Sequence, residues 1–146
     1  MTGYTRGGLD GNTSSGSIDI FLVKYNSSGT KQWTKQLGTS SFDKGNGVTS
    51  DSSDNIYVTG WTGGDLDGNT SSGESDIFLV KYDSSGTKQW TKQLGTSEYD
   101  YGYGVTSDSS DNIYVTGYTM GDLDGNTNSG SMDIFLVKYN SSGTKQ

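Results

Sequence analysis

Asp65, Asp67 and Asn69 alternate along one short segment, and Asp76 closes it, so oxygen-bearing side chains stand at relative positions 1, 3, 5 and 12. Asp122, Asp124, Asn126 and Asp133 repeat the pattern. This is the spacing of an EF-hand calcium loop. Ca²⁺ is a hard cation that gathers six to eight oxygens, and alternating side chains in a tight loop containing glycine can converge on one ion. The match is incomplete: glycine falls at position 4 instead of 6, position 12 is Asp instead of Glu, and the first copy has Gly8 in place of Asp65, leaving Asp10, Asn12 and Asp19. The same residues also suit an Asx-turn connection whose side chains cap its own backbone. Calcium site and self-capping loop both stay open at the level of sequence.

A second group is aromatic. Tyr99, Tyr101 and Tyr103 alternate and share a face if the chain is extended there. Rings beside Asn and Asp can stack on sugars, which makes these three candidate ligand residues; the competing role is packing between neighbouring repeats with hydroxyls reaching solvent. The first copy has Phe42, Lys44 and Asn46 at these positions, and the change points to exposed sites. Trp33, Trp90, Tyr57 and Tyr114 read as core. Catalysis finds little support. The chain has no His for proton transfer near neutral pH and no Cys nucleophile. No Gly-x-Ser-x-Gly elbow, P-loop or dinucleotide fingerprint occurs. Carboxylate pairs could in principle cleave glycosides, but the acidic residues sit in repeated turns, and near-identical repeats seldom carry a single asymmetric active site. The expectation is a protein that is not an enzyme.

What must position these residues is a repeat. Asp-Ile-Phe-Leu-Val-Lys-Tyr begins at Asp19, Asp76 and Asp133, and Gln-Trp-Thr-Lys-Gln-Leu-Gly-Thr-Ser begins at Gln32 and Gln89, a period of 57 residues. Residues 2–58 and 59–115 differ at ten positions, which implies recent duplication or design. Each unit reads as four short strands: one around Gly104–Ser107, one at Asn112–Tyr118, one at Asp133–Tyr139 and one whose complete copy is Thr87–Leu94. Asp, Asn, Ser and Gly fill the turns between them, and Ile, Val, Tyr, Phe, Trp and Thr fill the runs. The third strand is almost continuously apolar and calls for cover on both faces. The fourth puts Trp90, Lys92 and Leu94 on one side and Gln89, Thr91 and Gln93 on the other.

Composition agrees. There are 23 Gly and no Ala or Pro, and only 28% of residues are hydrophobic, so long helices are excluded and the core must be thin. A sheet this small cannot bury both faces alone, whereas stacked copies can. Four strands per repeat lead to an all-β fold of β-propeller blades; a β-solenoid competes, but its coils are shorter and lack repeated hairpins. The net charge of −7 argues against nucleic acid, whose phosphates need a basic stripe, and against anionic membrane surfaces. No stretch approaches the roughly 18 apolar residues of a membrane span.

The segments Val-Thr-Ser-Asp-Ser-Ser-Asp-Asn-Ile-Tyr-Val-Thr-Gly, Asp-Ile-Phe-Leu-Val-Lys-Tyr-Asp-Ser-Ser-Gly and Gln-Trp-Thr-Lys-Gln-Leu-Gly resemble the bacterial SBBP beta-propeller repeat, in register over essentially the whole chain. The resemblance implies a bacterial protein that is secreted or surface-attached, with no common activity; the long acidic loop is the departure from the usual motif. Met1 leads straight into the middle of a repeat, so a parent with its own export signal is expected. The expected division is a partial blade at 1–44, a complete blade at 45–101 and a partial blade at 102–146, about two and a half blades that complete a propeller by homo-oligomerisation. The leading expectation is an extracellular scaffold whose first partner is itself. The alternatives are a glycan-binding, lectin-like module and a calcium-dependent adhesion module that meets a surface protein.

Overall fold

The computed structural model describes residues 1–146. Ten strands form three antiparallel sheets. The first holds β1 (Thr2–Thr5), β2 (Asp19–Tyr25) and β3 (Lys31–Leu37). The second holds β4 (Asp43–Ser50), β5 (Ile56–Thr62), β6 (Asp76–Tyr82) and β7 (Lys88–Leu94). The third holds β8 (Asp100–Ser107), β9 (Ile113–Thr119) and β10 (Asp133–Tyr139). In every sheet consecutive strands are neighbours, so the chain meanders outward and then starts the next sheet. This topology of repeated hairpins is that of propeller blades and not of a solenoid coil.

Two seams of apolar side chains join the sheets. Ile20 and Leu22 of the first sheet pack against Val58, Phe78, Val80 and Tyr82 of the second and against Leu66 of the loop between β5 and β6. On the opposite face of the second sheet, Tyr57, Ile77 and Leu79 meet Ile113, Val115, Val137 and Tyr139 of the third. The period of two sends Ile77 and Leu79 one way and Phe78 and Val80 the other, which is why a continuous apolar run suits β6. Its cover on both faces matches the sequence expectation. Burial in the second seam pushes the Tyr139 hydroxyl up to about 12, with Asp124 adding to the effect.

The inner strands are longer than the sequence suggested. β8 begins at Asp100, where Asp100, Tyr101 and Gly102 pair with Thr119, Tyr118 and Gly117. A bulge between Gly102 and Gly104 breaks the alternation there, as one does between Gly45 and Gly47 in β4. Inner strands of adjacent sheets touch directly: Asn46 donates its side-chain amide to the Gly102 carbonyl at 2.8 Å, and the Ser107 hydroxyl donates to the Ser50 carbonyl at 2.9 Å. No helix is long and apolar enough to cross a membrane.

Candidate functional site

The acidic loops of the second and third sheets follow β5 and β9 and make a single 3-10 turn, and in the second sheet the loop folds back over the outer strand β7. In the middle blade the turn is Leu66–Gly68, with Leu66 buried and Asp67 in the left-handed region at φ 61°. The candidate oxygens point to separate partners. Asp65 accepts the Ser71 amide at 2.7 Å. Asp67 is ion-paired with Lys88 and accepts the Thr91 hydroxyl at 2.6 Å. The Asn69 side-chain amide donates to the Leu66 carbonyl at 2.8 Å. Asp76 accepts the Ser72 amide at 2.7 Å and the Gln93 amide at 2.8 Å. The third loop follows the same plan: Asp122 takes the Asn128 amide, Asp124 pairs with Lys145, Asn126 donates to the Leu123 carbonyl and Asp133 takes the Ser129 amide.

The eight residues therefore form two sets of four, each running from a loop to the first residue of the next strand, Asp76 of β6 or Asp133 of β10, with their oxygens turned to separate partners; nowhere do three acidic side chains gather around one point. Burial pushes the Asp67 carboxyl up, but the hydrogen bonds from Lys88 and Thr91 outweigh it and hold the carboxyl below its ordinary value. A cation at this loop would have to displace the Lys88 ammonium. The arrangement as it stands covers the polar side of β7, where Gln93 and Thr91 find their partners.

The three tyrosines are brought together, though not as a flat platform. The Tyr101 ring stands between Trp61 and Tyr118, with ring centres 5.2 Å from each. Tyr99 lies parallel to Tyr101 at 6.1 Å, and Tyr103 leans on Tyr118 at 5.6 Å. Tyr101 is thus a wedge between blades, while Tyr99 and Tyr103 remain exposed. Lys44 is the corresponding wedge one blade earlier: its ammonium lies 4.8 Å from the Tyr4 ring centre and 5.4 Å from that of Trp61. A cation–π contact there replaces an aromatic one. The sequence reading of Lys44 as a free, exposed position is corrected by this packing.

Sequence reasoning missed Asp43 and Asp100, and read Asp19 and Asp76 only as loop ligands. Asp19, Asp43, Asp76 and Asp100 are fully buried where successive blades meet. The Asp43 amide donates to the Ile18 carbonyl at 2.9 Å, and the Asp100 amide to that of Ser75 at 2.8 Å, stapling each inner strand to the blade before it. Asp43 accepts the Thr39 amide at 2.6 Å and the Thr62 hydroxyl; Asp100 accepts the Thr96 amide at 2.6 Å. Burial raises the Asp43 carboxyl above its ordinary value in spite of these bonds. The recurring Thr-x-x-x-Asp spacing at Thr39 and Thr96 was the available signal.

Sheets of antiparallel hairpins stacked face to face at a fixed sequence period define a β-propeller repeat protein. The beta-propeller repeat model SBBP matches residues 32–67 and 89–124, each window running from an outer strand through the next inner strand into the acidic loop, and the chain belongs to this family. It is 30% identical over 151 residues to an uncharacterized WD repeat-containing protein of Acanthamoeba polyphaga mimivirus, covering 92% of this chain and 11% of that protein. It is 28% identical over 149 residues to the regulatory protein FlaEY of Caulobacter vibrioides, covering 94% of this chain and 16% of that one. The chain thus spans a small part of the length of either relative.

Proposed function

We propose that the chain is a non-catalytic interaction module that works by stacking blade on blade, and that its first partner is a second copy of itself, joined head to tail. One comparison carries the reading. Ile134 and Leu136 are 92% and 70% exposed, whereas their repeat-mates Ile77 and Leu79, which face the next blade, are 4% and 2% exposed. At the other end of the molecule, Tyr25 is exposed where its repeat-mate Tyr82 is buried. The two open faces are copies of two faces that already pack against each other inside the chain, so each suits the other. Covering each aliphatic side chain contributes about 1.5–3 kcal/mol. Such a contact is heterologous, and heterologous contacts generate a ring where the rotation between copies closes.

Absence of catalysis is part of the same reading. The chain has no His or Cys, and its loop carboxylates are held by backbone amides, Lys and Thr. The test is the mass in solution. Light scattering on the chain is expected to give a multiple of 15.6 kDa that falls on dilution, and Ile134→Asp with Leu136→Asp is expected to give single copies that keep their β-sheet circular dichroism. A monomer at every concentration would overturn the proposal.

A further inference from the structure

Three carboxylates in the interior keep an oxygen that nothing in the chain satisfies. Asp19, Asp76 and Asp100 are fully buried, and the Oδ1 atom of each has no hydrogen-bond partner. All three stand where one sheet hands over to the next. Ser75 and Tyr99 are bridged in parallel, and the Asp100 amide donates to the Ser75 carbonyl at 2.8 Å, so Asp76 and Asp100 follow side by side at the junction of the second and third sheets. Asp19 and Asp43 hold the same places at the junction of the first and second.

The other oxygen of each carboxylate is fully used. Asp76 Oδ2 accepts the Ser72 amide at 2.7 Å and the Gln93 side-chain amide at 2.8 Å. Asp100 Oδ2 accepts the Thr96 amide at 2.6 Å and the Thr96 hydroxyl at 2.9 Å. A threonine lies opposite each inner-strand aspartate, Thr62 opposite Asp43 and Thr119 opposite Asp100. Thr62 gives its hydroxyl to Asp43 Oδ1, whereas Thr119 donates to the Gly121 carbonyl at 3.1 Å and leaves Asp100 Oδ1 free. Beside Asp76 Oδ1 stands Gly95, where a β-carbon would lie 2.0 Å from that oxygen; Gly38 bears the same relation to Asp19 Oδ1 at 2.3 Å. Only glycine leaves the approach to these oxygens open.

No basic side chain answers the charge. The three ion pairs, Lys31 with Asp10, Lys88 with Asp67 and Lys145 with Asp124, all belong to the acidic loops. Neighbouring buried carboxylates without a counter-charge are costly, and each disfavours the ionised form of the other. Asp43 displays the effect: burial above all, with the Asp19 charge added, raises its pKa in spite of the bonds from Thr39 and Thr62. A cation would supply what the junction lacks. Carboxylates and hydroxyls form an all-oxygen donor set, which suits a hard ion and offers nothing to a soft one.

We propose that the junction of the second and third sheets is a cation site, in which Asp76 Oδ1 and Asp100 Oδ1 hold one hard divalent cation of the calcium class and pin one blade to the next. Two carboxylates match its charge. The junction of Asp19 and Asp43 has one free oxygen, because Thr62 occupies the other carboxylate, and binds more weakly. The site is not the spacing of oxygens along the acidic loop: Asp65, Asp67 and Asn69 take no part, and Asp76 enters through the oxygen that the loop leaves unused. Both carboxylates belong to one chain and neither open face is involved, so the site stands or falls separately from self-association.

The experiment is a calorimetric titration of CaCl₂ into the chelator-treated chain, with thermal melts in calcium and in EGTA. One dominant site per chain is expected, with a rise in Tm that EGTA reverses. Asp100→Asn keeps an acceptor for the Thr96 amide but removes the charge, and should weaken binding at least about tenfold. Asp67→Asn, in the loop, should leave the affinity unchanged. Terbium gives a second readout on the unaltered chain, since Tyr101 adjoins Asp100 and can sensitise its luminescence, which calcium should quench by displacement. Neither heat nor a Tm shift at about 10 mM Ca²⁺, above the weakest calcium modules, would overturn the proposal. So would equal affinity in Asp100→Asn, or loss of binding in Asp67→Asn. A gain in stability from Asp100→Asn with no response to calcium would overturn it as well, and would assign the neutralisation to a shared proton.

Discussion

Asp108 shows how a single side chain organises a turn between the first two strands of a blade. Its carboxylate accepts the amides of Ser110 and Asn112 and the Asn112 side chain, each at 2.9 Å, and the Tyr114 hydroxyl at 3.0 Å. Hydrogen bonds from Asn112, side chain first and then backbone, hold its pKa down at about 2. Asp51 does the same one blade earlier; burial pushes it up, but the bonds from Asn55 and Tyr57 prevail and its pKa is lowered. A folded-state pKa below the unfolded one means stability that is present above the ordinary aspartate range and lost as pH falls through the folded value. Stability is therefore expected to decline between about pH 4 and pH 2. Asp108→Asn should lower the urea midpoint at pH 7, and the gap to the parent chain should close below pH 2. A gap of constant size across that range would show that the charge of Asp108 plays no part.

Between elements, the outer hairpins lock one blade to the next. Gly86 stands at φ 82°, and a β-carbon placed on it would lie 3.0 Å from the Trp33 indole; Gly143, at φ 80°, bears the same relation to Trp90. Lys24 donates to the Ser84 carbonyl at 2.9 Å, and Lys81 to that of Ser141 at 3.1 Å, on the same hairpins. Gly29 has the same backbone angle, at φ 80°, with nothing near it. Alanine at Gly29 should cost only the left-handed penalty of about 1–2 kcal/mol. Alanine at Gly86 should cost about 1–3 kcal/mol more, because the indole must also give way. Equal losses in urea denaturation would mean that the Trp33 contact contributes nothing.

This lock also marks where the sequence is readable. The strands at Asp133–Tyr139 and Lys88–Leu94 stand out because burial on one or both faces leaves a local pattern of period one or two. The full extent of β8 does not, since Gly102 and Gly104 flank a bulge that interrupts the alternation. The acidic loop is conspicuous as a set of oxygens, but Gln93 lies 17 positions after its acceptor Asp76 and Thr91 lies 24 after Asp67. A spacing rule written for a local ion site has no access to contacts made that far along. The same holds for Lys44, whose role depends on rings contributed by Tyr4 and Trp61.

At the scale of the molecule, the middle sheet is the only one with both faces covered, and in stacked repeats each unit draws its stability from its neighbours. Phe78, Leu79 and Val80 in β6 are sealed between two seams, while the matching strand β10 presents Ile134 and Leu136 to solvent. Local opening scales with the apolar cover an element would lose. Amide hydrogen exchange at low chain concentration should therefore be slowest in β6 and markedly faster in β10, although the two strands share the sequence Asp-Ile-Phe-Leu-Val-Lys-Tyr. Raising the concentration should slow exchange in β9 and β10 of the third sheet and in β1 and β2 of the first, and leave β5 and β6 unchanged, because a copy stacked head to tail covers the two outer sheets together. Ile134→Asp should abolish that dependence. Protection that rose only in the third sheet would point to a contact made between like faces; protection that never rose would leave the two open faces as separate surfaces.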